Sequence, residues 1–156
     1  MLAAISALPQ LIASRPDFAL LSVGAAPLRA GQTPAEWCQT LLFLAQACQA
    51  AGIDPILVAL PELPGLPSGI GRNAALLTKE LGLSLGVAVA DLYSHQRLNQ
   101  VDSATWYQHA GIDLPTPQDT ARQWLSMTCA RALQRHYPAI FTYHANASDD
   151  RQPGQP

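Results

Sequence analysis

Three short stretches of the chain are apolar almost without interruption: residues 18–23 (Phe-Ala-Leu-Leu-Ser-Val), 56–60 (Ile-Leu-Val-Ala-Leu) and 85–90 (Leu-Gly-Val-Ala-Val-Ala). Unbroken rather than alternating apolar runs are what parallel strands need when helices cover both faces of their sheet. Between them the apolar positions switch to helical spacing. Thr33-Pro34-Ala35-Glu36 places an N-cap threonine, a proline at the first helical position and a glutamate at the third, the pattern of a capping box. Trp37, Cys38, Leu41, Leu42, Leu44, Ala45 and Cys48 then recur on one face, and Gly52 supplies the stop. A second helix is expected over 73–81, capped by Asn73 and closed by Gly82. Thr116-Pro117-Gln118-Asp119 repeats the capping pattern ahead of Ala121, Trp124, Leu125, Thr128, Ala132 and Leu133, a helix expected to end at 136–138.

Strand, helix, strand, helix, strand, loop, helix is a βαβ series. The expected fold class is α/β: a small three-layer α/β/α sandwich on a parallel sheet, occupying residues 1–144, with 145–156 as a polar, flexible C-terminal tail. Three loops, 24–32, 61–71 and 93–115, leave the carboxyl ends of the strands, where open α/β sheets place their ligand sites.

Composition narrows the function. Of 156 residues, 49% are hydrophobic and 13% charged, enough for a core and against disorder. The net charge of −2 offers no basic face for nucleic acid or for an anionic membrane. No run is long enough to span a bilayer, and the first ten residues lack the basic start of a signal peptide. A cytoplasmic location is expected. Lys79 is the single lysine, as coding bias would produce. Cys38 and Cys48 stand ten residues apart on one helix, about 15 Å along its axis, beyond the ~7 Å that a disulfide spans. The cysteines read as small buried hydrophobes, with no metal-ligand spacing and no cofactor fingerprint.

Four segments, in order, resemble the SGNH (GDSL-like) hydrolase family over most of the chain. Arg15-Pro16-Asp17-Phe18-Ala19-Leu20-Leu21-Ser22-Val23-Gly24 looks like the strand entering that family's G-x-N-D block. Ala50-Ala51-Gly52-Ile53-Asp54-Pro55-Ile56-Leu57-Val58-Ala59-Leu60-Pro61 is similar to the helix end and strand that follow. Residues 73–93 resemble its "N…L…ELG…D-L-Y" passage, and Gly111-Ile112-Asp113-Leu114-Pro115-Thr116-Pro117 its D-G-x-H-P-T-P block.

The resemblance implies a flavodoxin-like sheet and acyl-transfer chemistry. In that chemistry a serine of a G-D-S block attacks an ester, a histidine three residues after an aspartate takes its proton, and the G-x-N-D asparagine helps hold the oxyanion. The G-D-S strand has no counterpart in these residues, so the sheet is expected to lack the family's first strand. At G-x-N-D stands Gly24-Ala25-Ala26-Pro27, with Ala26 in place of the asparagine. At D-x-x-H stand Gly111 and Leu114, or Ala110 and Asp113 one residue along. Neither register restores an Asp–His pair.

Other residues are weaker candidates for the chemistry. Ser94 and His95 follow Asp91 at a strand end, set against a solvated loop as the plainer reading. His109 could supply a base but reads as a surface histidine, and Asp113 an acid but reads as a turn former before Pro115. Gly69-Ile70-Gly71-Arg72-Asn73 opens a helix without completing a phosphate-binding glycine motif. Trp37 and Trp124 read as core, while Trp106 and Tyr107 line a pocket or pack down the long loop.

Two functions follow from the resemblance. One is a pseudoenzyme: an SGNH-like domain without catalytic residues, acting in binding or assembly. The other is an ester or acyl hydrolase (esterase or deacetylase) active only with a serine block from another polypeptide. In either case the run opening on Phe18 and closing on Val23 would be an exposed apolar edge, to be covered by a second copy, a protein partner or the chain's own ends.

Overall fold

The computed structural model describes residues 2–62, 65–67, 69–98, 107–108, 116–117 and 119–138. In chain order the elements are α1 (Leu2–Ser14), β1 (Phe18–Leu21), α2 (Ala26–Arg29), α3 (Pro34–Ala50), β2 (Asp54–Ala59), α4 (Ile70–Leu85), β3 (Ala88–Asp91), α5 (Leu92–Leu98), β4 (Tyr107–Gln108), β5 (Thr116–Pro117) and α6 (Asp119–His136). The three apolar runs form one parallel sheet in the order β1-β2-β3. Leu20 pairs with Ile56 and Leu57 with Val89.

The central strand explains the unbroken apolar pattern. Pro55 through Ala59 are buried on both faces, Leu57 and Ala59 completely. Helices α3 and α4 lie side by side over β2, with α3 reaching β1 and α4 reaching β3. Alternation along β3 sends Val89 toward Gly82 of α4, and Ala88 and Ala90 toward the opposite side. Helix α6 packs along β3, with α5 beside it. Ala88, Ala90 and Ala132 are all buried.

Helix α3 starts and stops as its sequence dictates. The Thr33 hydroxyl accepts from the Glu36 amide at 3.3 Å, and the Thr33 amide donates back to the Glu36 carboxylate at 2.9 Å. Gly52, at φ 74°, ends the helix in the left-handed conformation. Trp37 is fully buried, and its indole N–H donates to the Gly24 carbonyl at 2.9 Å, tying α3 to the turn after β1.

Several expectations need correction. Helix α4 runs through Gly82 to Leu85, and the left-handed stop is Gly86 at φ 65°. Its N-cap is Gly69, and Asn73 lies inside the helix, where its amide donates to the Gly69 carbonyl. The strands are β1 to Leu21, β2 from Asp54 and β3 from Ala88. Thr116 is no helix cap: it pairs with Gln108 in a short antiparallel ladder, and α6 begins at Asp119. The loop at 24–32 contains α2, and the long loop begins only after α5.

Helix α1 had no counterpart in the apolar pattern. It packs on α3 and sends Leu8 into the core. At the other end of the chain, the Tyr137 ring meets Phe18 edge-on at 5.3 Å, so the end of α6 covers the start of β1. Among the described residues no helix is long and apolar enough to cross a membrane.

Candidate functional site

The β3–α5 junction gathers polar groups at the carboxyl end of the sheet. Asp91 closes β3, and its carboxylate accepts the Ser94 amide at 2.9 Å, acting as a cap on the first turn of α5. The second carboxylate oxygen lies 2.7 Å from Lys79 Nζ, which arrives from α4 and also donates to Ser94 Oγ at 3.2 Å. Burial works to raise the Asp91 pKa, but Lys79 and Ser94 outweigh it and hold the carboxyl below the usual aspartate range. The chain's only lysine is therefore a structural cation joining two elements.

Ser94 and His95 sit half-buried on α5, not in a solvated loop. They and Asp91 face a cavity of about 220 Å³ that α6 closes from the other side. One helical turn does not make a triad of them. The Asp91 carboxylate is engaged by Lys79 and by a backbone amide, and Ser94 Oγ accepts from an ammonium. The Ser94 side chain is also among the hydrogen-bond partners that hold Asp91 charged. The arrangement ties α4, β3 and α5 together through polar groups.

Gln96, buried to 2% exposure, accepts the Glu62 amide through its side-chain oxygen at 2.6 Å. It fastens the loop after β2 to α5, so the ends of β2 and β3 are braced together. Neither Lys79 nor Gln96 stood out as a site residue in the sequence. The solitary lysine was the one available signal.

At the end of β1, Gly24 takes φ 75° and Ala26 opens α2. The position resembling an oxyanion asparagine thus carries an exposed methyl group with no donor. Gly111, Leu114, His109, Asp113 and Trp106 lie outside the described residues. The thiols are poor nucleophiles: burial raises the pKa of Cys38, with Glu80 adding to it, and burial alone raises those of Cys48 and Cys129.

This architecture superposes on TesA with a TM-score of 0.65, at 20% identity, covering 85% of this chain and 71% of that one. It also matches a protein from Parabacteroides merdae described as a GDSL-like lipase, with a TM-score of 0.61 at 14% identity, covering 80% and 67%. The fold is SGNH-hydrolase-like. At these identities the likeness establishes the fold of the SGNH-like domain and nothing of its chemistry. No family model matches its sequence, and no curated protein does.

Proposed function

We propose that this SGNH-like domain is non-catalytic and acts by binding or assembly. The observation that carries the reading is Ala26, a methyl group at the start of α2 where the resemblance calls for an oxyanion donor. Losing one such donor costs about 10²–10³ in rate even when a nucleophile is present. The free thiols, Cys48 buried and Cys38 and Cys129 half-buried, suit a reducing, cytoplasmic setting.

The assembly part of the proposal rests on β1. Among the described residues this strand pairs only with β2, and Leu20 is 48% exposed beside the open edge. A second copy or a protein partner would sheath it. The same open edge favours the second reading, an ester or acyl hydrolase whose serine block comes from another polypeptide.

Two measurements separate these readings. The chain is expected not to hydrolyse short p-nitrophenyl esters; turnover abolished by Ser94→Ala would overturn the non-catalytic reading. Native mass measurement, with any co-purifying protein identified, tests assembly. A serine-bearing partner that restores turnover would establish the second reading instead.

A further inference from the structure

We propose that the cavity between β3, α5 and α6 is a binding site for a phosphoryl group, held by Arg131 and Arg135. These arginines stand one turn apart on α6, and both line the cavity of about 220 Å³. The opposite wall presents Ser94 and His95 from α5, and Thr128 lies a turn before Arg131 on α6. Two guanidinium groups, two hydroxyls and an imidazole thus converge on one small space.

Charge decides what the space would take. Among the described residues neither arginine has a carboxylate partner, since the one ion pair there joins Lys79 to Asp91 at 2.7 Å. Asp91 also borders the cavity, but its charge is matched by Lys79 and its other oxygen is occupied by the Ser94 amide. Among the described residues, two positive charges at the mouth therefore stand without a carboxylate partner. A dianion matches them, and guanidinium forks bind phosphate oxygens in pairs. The volume lies below that of a drug-sized pocket, about 300 Å³ and upward, so the group bound is compact. A free phosphate ion and the terminus of a small phosphate monoester share this chemistry.

The test is calorimetric titration of the full chain, at low ionic strength, with inorganic phosphate, glycerol 1-phosphate and acetate. Saturable binding of phosphate is expected, weakened about tenfold or more by Arg131→Gln or Arg135→Gln. Arg72→Gln, on the far end of α4, is expected to leave it unchanged. Tighter binding of the monoester would identify an ester terminus as the ligand, and tighter binding of inorganic phosphate the free ion. Both arginines are exposed, so the variants are expected to fold. A second measurement needs no variant: the amide resonances of Ser94, His95 and Thr128 should move together as phosphate is added. No saturable heat up to about 10 mM phosphate, equal binding by the double variant, acetate binding as well as phosphate, or resonance shifts confined elsewhere would each overturn the assignment.

Discussion

Gly82 of α4 lies against Val89 of β3 so closely that a Cβ at residue 82 would overlap the Val89 Cγ2 methyl. The glycine sits in the last turn of α4, where alanine would gain up to ~1 kcal/mol in helix propensity. The overlap reverses the sign. Gly82→Ala is expected to destabilise by about 1–3 kcal/mol through overpacking, and Gly82→Ala with Val89→Ala to recover part of that loss. Urea unfolding of both variants checks it; a single variant as stable as the parent would mean that α4 can shift outward freely.

The Lys79–Asp91 pair makes a pH prediction. The Asp91 pKa is lowered below the ordinary value of 3.8, so the folded state binds its proton less readily than the unfolded chain. The resulting stability is present above about pH 4 and is lost as pH falls through the depressed value. The stability gap between the parent and Asp91→Asn should therefore narrow below pH 4 in acid titrations of the denaturation midpoint. A gap independent of pH would show that the carboxylate's charge contributes nothing.

Helix capping separates two threonines that look alike in sequence. Thr33 makes a reciprocal capping box with Glu36, and Thr33→Ala should cost about 1 kcal/mol. Thr116 lies in a strand pair instead, so Thr116→Ala is expected to cost less than Thr33→Ala. Denaturant midpoints of the two variants decide; a larger loss at Thr116 would restore it as a cap.

The edge of β1 can be probed directly. If a partner sheaths it, amide exchange protection over 19–21 should fall on dilution. Leu20→Lys should weaken association while leaving the core intact, because Leu20 is 48% exposed; Leu21, at 6%, would damage the core. Protection that persists in a proven monomer would mean that the chain covers its own edge.

The sequence by itself determined the sheet and its central helix. Three apolar runs marked the strands, although only β2 is buried on both faces, and the Thr33 box and Gly52 bounded α3 with local chemistry that does not depend on the rest of the fold. It also determined that Ala26 offers no donor, since that is a property of the side chain. It misplaced what depends on neighbours. Gly82 looked like a helix stop, because a glycine required by a strand passing against it and a glycine required by positive φ are the same letter. Asn73 and Thr116 have the chemistry of caps, but a cap exists only where the chain turns, and the chain turned elsewhere. Helix α1 was invisible because its apolar face is completed by α3. Only the tertiary structure could turn a lone lysine into the partner of Asp91, or bring Arg131 and Arg135 opposite Ser94 and His95. Lys79 and Asp91 stand twelve positions apart and the arginines more than thirty from His95, and an ion pair or a cavity exists only once folding removes the water between its members.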